Sequence, residues 1–272
     1  MRFFVFTLLA CICCLSVGLR LLSPHVPTAT PIQGVCLVAP PSPFPKDPMV
    51  ALLELGAAWV AIVPFGYSMQ ADTQVFFDGS RQWWGEKTEG TVKSIQLAKS
   101  AGLSVMLKPQ IYVPGSWSGE IGFSRESEWS AWERGYRQYI LHMAQLADSL
   151  SVELFCIGTE FKISTQRRPQ FWRQLIRDIR TEYSGPLTYA ANWDEYQAVP
   201  FWDALDYIGV DAYFPLVNEK TPTVSELIQA WKPWKADLLK ASRKWSKPVL
   251  FTEFGYLSVD HTAYRTWERE AQ

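Results

Sequence analysis

Residues 152–160 read VELFCIGTE and residues 248–255 read PVLFTEFG. Each holds an apolar run that closes on a glutamate, Glu160 in the first and Glu253 in the second. Such nearly continuous apolar runs predict parallel strands covered on both faces. Five more runs share the character: GVCLVA (34–39), WVAIVPF (59–65), SVMLKPQI (104–111), LTYAANW (187–193) and LDYIGVDAY (205–213). Between them lie segments of 3.6-residue periodicity. The clearest spans 126–150, where Trp129, Trp132, Tyr136, Ile140, Met143, Ala147 and Leu150 recur every three or four residues. A second spans 169–182, with Pro169 near its start and a stripe of Phe171, Trp172, Leu175, Ile176 and Ile179. Further helices are predicted near 47–56, 89–101 and 223–245, and Gly56 and Gly102 stand where two of these stop. Repeated βα units place the chain in the α/β class, as a doubly wound sheet or a barrel. No GxGxxG follows the first strand, and polar residues gather instead at the C-terminal ends of several strands, where barrel enzymes hold their chemistry. The expectation is a TIM-type (β/α)8 barrel over residues 34–272.

Two glutamates at the mouth of such a barrel are the minimum kit for cleaving a glycosidic bond. One must be a protonated acid and the other an ionised nucleophile or base, and their environments can push the two pKa values apart. Either glutamate could instead pair with a neighbouring Lys or Arg as a structural ion pair. Other strand ends supply Lys108 and Gln110, Asn192 and Trp193, and Asp211 and Tyr213. The loop after the second strand supplies Trp83 and Trp84. These eight are candidate substrate-binding residues: polar groups for sugar hydroxyls, and Trp83, Trp84 or Trp193 as stacking platforms. Tyr213 is also placed to hold the nucleophile by a hydrogen bond. For each residue alone, loop packing or a surface ion pair is the competing explanation.

Competing chemistries lack their parts. The three histidines, His25, His142 and His261, fall at no predicted strand end, so a Ser-His-Asp or Cys-His site has no base. GSWSG at 115–119 has Trp117 where a nucleophile elbow has serine. There is no HExxH, no CxxC pair and no P-loop, so no metal and no cofactor is expected. With 26 Lys+Arg against 27 Asp+Glu there is no basic excess for nucleic acid. The expected partner is a polysaccharide or oligosaccharide, met by a monomer; the 13 Trp, 11 Tyr and 15 Phe fit either a Trp-rich core or a sugar groove.

Residues 3–19 form an apolar run broken by Arg20. The segment 1–22 predicts a signal peptide or an uncleaved membrane anchor, with lipidation at Cys11 a third option and a buried core helix a fourth. The first three make the chain exported and extracytoplasmic. Residues 23–33 (SPHVPTATPIQ) read as a Pro/Thr-rich linker. Cys36 and Cys156, alone in the body, are expected to be free buried thiols.

Taken together, VAPPSPFP (38–45), RQWWGE (81–86), MLKPQI (106–111), ELFCIGTEF (153–161), YAANWDEY (189–196), DALDYIGVDAYFP (203–215) and PVLFTEFGY (248–256) resemble glycoside hydrolase family 113. That resemblance covers about residues 34–256. It implies a (β/α)8 barrel of the retaining clan A, with Glu160 as acid/base and Glu253 as nucleophile. It also implies action on β-1,4-mannan without a metal or organic cofactor. Many clan members have Asn before the acid/base, whereas this chain has Thr159. A barrel needs eight strands and the sequence shows seven, so a C-terminal truncation is expected. The competing reading is a non-catalytic glycan-binding envelope protein on a truncated or degenerate barrel; a third is a purely structural envelope protein.

Overall fold

The structure is a computed structural model that describes residues 31–70 and 72–266. The leader expected over 1–22 lies outside the described residues, as does most of the linker expected over 23–33. Contacts divide the chain at Pro31–Ile32, and every strand and helix named below belongs to the second unit, Ile32–Gln272. Ile32 packs on a core cluster, and the Gln33 carbonyl accepts the N–H groups of Ala58 and Trp59 at 3.0 Å each. Both residues, expected to belong to the linker, thus contact the folded body. Among the described residues no helix is long and apolar enough to cross a membrane.

The elements, in chain order, are β1 (Gly34–Val38), α1 (Met49–Glu54), β2 (Trp59–Val63), β3 (Phe65–Tyr67), α2 (Thr88–Ser100), β4 (Ser104–Leu107), β5 (Gln110–Tyr112), α3 (Glu126–Ser149), β6 (Leu154–Thr159), α4 (Lys162–Arg167), α5 (Pro169–Glu182), β7 (Leu187–Asn192), β8 (Ile208–Asp211), α6 (Val224–Trp245) and β9 (Val249–Glu253). Seven strands form one all-parallel sheet in the order β1-β2-β4-β6-β7-β8-β9. The sheet curls: the Cys36 thiol of β1 lies 3.6 Å from the Thr252 carbonyl of β9, although these strands are its two edges. This is the seven-stranded βα architecture of a (β/α)8-type barrel, and all seven expected strands are present. Two short strands add to it. Pro64 interrupts the second apolar run and Lys108–Pro109 the third, so each run splits; β3 and β5 pair with each other as a separate parallel ribbon.

Alternation along the strands sorts the core into two layers. In β2, Val60 and Ile62 join the cluster under the helices, while Ala61 and Val63 join Met106, Leu154 and Leu250 inside the curl. The outer layer is dominated by rings from α3 and α5. Trp132 stacks on Tyr136 with centroids 4.9 Å apart, Tyr136 meets Phe161 edge-on at 4.9 Å, and Trp172 stacks on Phe201 at 5.7 Å. Most of the expected Trp-rich core is thus real. Both body cysteines are free thiols, but only Cys156 is buried; Cys36 is exposed, because β1 is an edge strand with a sheet neighbour on one side. Every sheet strand runs in the same direction, so all C-terminal ends meet at one rim, and the candidate site lies there.

Candidate active site

Glu253 closes β9 and Glu160 directly follows β6. Both strands depart from regular pairing just before their glutamate. The β6–β7 register shifts between Cys156 and Thr159, and the β8–β9 register shifts between Val210 and Asp211. Such irregularities re-aim a side chain. In β9 the result is plain: consecutive residues Thr252 and Glu253 both reach the same buried charge cluster, which a regular strand forbids. Thr252 Oγ1 donates to Asp211 Oδ1 at 2.7 Å, and Glu253 Oε1 accepts from Lys108 Nζ.

Lys108 sits beneath Glu253 and is fully buried. Its ammonium also contacts Asp211 Oδ1 at 2.9 Å and Oδ2 at 3.2 Å. Gln110 Nε2 donates to Glu253 Oε1 at 2.9 Å, and the Tyr213 hydroxyl donates to Oε2 at 2.9 Å. Burial alone would raise the Glu253 carboxyl, but the Lys108 charge and these hydrogen bonds outweigh it and hold it below its ordinary value. Burial would likewise pull Lys108 down, yet Asp211 and Glu253 keep it firmly protonated. Burial pushes Asp211 up to about 6 against the Lys108 charge.

Glu160 lives in the opposite environment. Its carboxyl is pushed up to about 8 by burial first, then by the charges of Asp211 and Glu253, with the Trp117 hydrogen bond opposing. The Trp117 indole Nε1 donates to Glu160 Oε2 at 2.5 Å. Gly119 lets the indole lie there, since a Cβ at that position would collide with the Trp117 ring. The backbone at Glu160 is left-handed, with φ 57°. For a residue with a side chain this costs on the order of 1–2 kcal/mol. The Glu160 N–H donates to the Ala190 carbonyl at 2.8 Å, and the next N–H, of Phe161, donates to the Tyr189 hydroxyl at 2.6 Å.

The expected site residues therefore fall into groups. Glu160, Glu253, Lys108, Gln110, Asp211 and Tyr213 share one cluster. The expectation that Lys108 and Asp211 bind sugar hydroxyls does not fit their burial: the Lys108 charge is spent on Asp211 and Glu253, and Asp211 on Lys108 and the Thr252 hydroxyl, below the surface a sugar could touch. Asn192 ends β7 opposite Asp211, its side-chain oxygen accepting the Trp193 N–H at 2.8 Å. The half-buried Trp193 ring packs edge-on against Trp234 at 5.7 Å and Phe214 at 6.4 Å. Trp83 is half exposed and lines a cleft of about 430 Å³ with Tyr67, Phe76, Arg81 and Gln82. Trp84 is not brought to the carboxylates. Its N–H and that of Gly85 are tied to the carbonyls of Pro41 and Pro40, and its ring meets Phe44 edge-on at 5.8 Å. It lines a flank cavity of about 640 Å³ between the loop after β1 and α2, where none of the site's carboxylates lies. Sequence reasoning missed Trp117, Thr252, Tyr189 and Glu195. Trp117 was legible only as a failed nucleophile motif; its use as a hydrogen-bond donor depends on a residue 43 positions away.

The site thus pairs a carboxyl that keeps its proton near neutral pH with one that does not. Similarity to known proteins gives the family. A β-mannanase, AaManA from Alicyclobacillus acidocaldarius, solved in complex with ManMIm, superposes with a TM-score of 0.78 at 26% identity, covering 90% of this chain and 77% of that one. A β-1,4-mannanase solved as a complex gives 0.76 at 25% identity, over 89% and 78%. A β-glucuronidase from Ruminococcus gnavus shares the fold alone, at 14% identity and a TM-score of 0.56 over 84% of this chain and 36% of that one. Among curated proteins none matches the chain. The profile of Glycoside Hydrolase Family 113 matches residues 42–272, and the chain belongs to that family of glycosidases.

Proposed function

We propose that the chain is a retaining β-1,4-mannanase in which Glu253 is the nucleophile and Glu160 the acid/base. The observation behind this is the opposite bias of the two carboxyls: Glu253 is held ionised by Lys108, Gln110 and Tyr213, and Glu160 is held protonated by burial beside like charges. A Glu253 oxygen attacks the anomeric carbon as the bond to the leaving oxygen breaks, and that oxygen takes the Glu160 proton. Water then gives a proton to the ionised Glu160 and its oxygen displaces Glu253 from the anomeric carbon. Trp117 keeps its hydrogen bond to Glu160 through both steps and favours the ionised form needed in the second. Gln110, Tyr213, Asn192, Trp193 and Trp83 are the proposed substrate contacts. Mannan as substrate rests on the two mannanases at about one-quarter identity. The apolar run 3–19 supports export of the enzyme to a polymer outside the cytoplasm.

Reducing-end release from β-1,4-manno-, gluco- and xylo-oligosaccharides tests the reading. Release from the manno-series alone, with the β-anomer formed first by NMR and no release by Glu253→Ala, is the expected result. First formation of the α-anomer, or undiminished release by Glu253→Ala, would overturn it.

A further inference from the structure

Glu195 is a second carboxyl at the same rim that the reaction above leaves unused. It lies in the loop after β7 and is wholly buried. Its Oε1 accepts from the Tyr189 hydroxyl at 2.9 Å and from Thr165 Oγ1 at 3.0 Å, and its Oε2 accepts the Asn192 N–H at 3.2 Å. Burial pushes the carboxyl up to about 7 against these hydrogen bonds. A buried carboxyl is costly, and an apolar side chain would fill the same space without that cost.

Its neighbours suggest what it does. A phenol has one proton. Glu195 takes it in a hydrogen bond, so the Tyr189 oxygen is left to accept, and what it accepts is the Phe161 N–H at 2.6 Å. That N–H belongs to the peptide plane that also carries the Glu160 carbonyl. The preceding plane is held through the Glu160 N–H on the Ala190 carbonyl. Both planes flanking the Glu160 Cα are therefore tied to consecutive residues of β7, one through its backbone and one through a side chain. Together they hold Glu160 in the left-handed conformation at φ 57°. We propose that Glu195, acting through the Tyr189 hydroxyl, is a positioning residue for Glu160, fixing the direction from which its carboxyl meets the leaving oxygen. This rests on Glu160 being the proton donor.

The test uses the full chain and two substrates with the same sugar, phenyl and 2,4-dinitrophenyl β-mannobioside. Departure of phenol needs the acid; departure of dinitrophenolate does not. Glu160→Ala should lose kcat/KM on the phenyl substrate and keep it on the activated one. Tyr189→Phe and Glu195→Met, which leaves the Tyr189 hydroxyl without its acceptor, should lower kcat/KM on the phenyl substrate by about tenfold or more, while the activated substrate stays within about twofold. Equal losses on both substrates, or no loss on either, would show a merely structural carboxyl and overturn the proposal. Glu195→Met fills a similar volume with no acceptor, so it decides the matter even where Tyr189→Phe fails to fold. If Glu160→Ala itself does not separate the two substrates, Glu160 is not the donor and both readings fall; if only the other two variants fail to separate them, the positioning role alone falls.

Discussion

At the scale of single residues, two glutamates of the same chemistry are driven apart by their neighbours. Glu253 has a buried ammonium, an amide and a phenol on it; Glu160 has burial, two nearby carboxylates and one indole. The contrast fixes how each bears on stability. Glu160 rises from an ordinary 4.5 to about 8 in the folded chain. Across that window the native state keeps a proton that the unfolded state has lost, so its contribution to stability declines as pH rises and levels off above about 8. Glu253 has the opposite sign: its contribution is present above the ordinary carboxylate value and is lost as pH falls through its lowered one. Glu160→Gln removes the first effect and keeps an acceptor for Trp117. Calorimetry should show its Tm above the parent's by roughly 3–8 °C at pH 9 and equal to it at pH 4.5. A Tm difference that does not change with pH would contradict the assignment. The two glutamates were legible because each ends an apolar run. Glu195 was not: a lone acid in a loop shows nothing of its burial until α4, β7 and the turn after it are assembled.

At the scale of elements, the irregular ends of β6 and β9 matter more than the strands' regular parts. A strand delivers side chains alternately to two faces, and both glutamates need that alternation broken just before them. Near this break, Gly158 of β6 has no room for a side chain: a Cβ there would fall 2.8 Å from the Tyr136 hydroxyl and 2.9 Å from the Trp172 ring. Gly158→Ala should therefore push α3 or α5 away and destabilise the fold by about 1–3 kcal/mol. Urea unfolding should show a lower midpoint at an unchanged slope; an unchanged midpoint would mean that the rings have slack. The sequence made the apolar runs and the helical stripes plain, and the helices at 126–150 and 169–182 match α3 and α5 to within a residue at each end. It did not show that Pro64 and Lys108–Pro109 divide two runs, because apolar residues resume beyond both breaks. Nor did it show α4, six residues too short to carry a stripe.

At the scale of the whole molecule, the residues that polarise the two carboxyls come from widely separated parts of the chain. Lys108 and Glu253 are 145 positions apart, and the Cys36–Thr252 contact that marks the curl of the sheet spans 216. Nothing local can form such contacts early, since each must first close a long loop of chain. The helices and the aromatic layer on α3 and α5 rest on much shorter separations, such as the 8 residues between Ser164 and Trp172. The curl of the sheet therefore sets an order of events on refolding. Diluted out of denaturant, the chain should regain most of its tryptophan fluorescence while it still turns over no substrate, with hydrolysis returning in a later phase; simultaneous recovery would exclude this order. During that interval Lys108 has yet to meet Glu253, and the proposed nucleophile has the acidity of an ordinary glutamate. The enzyme's power to cut sugar is in this sense a property of the last contacts to form, and a chain can look folded to its own tryptophans before it has any.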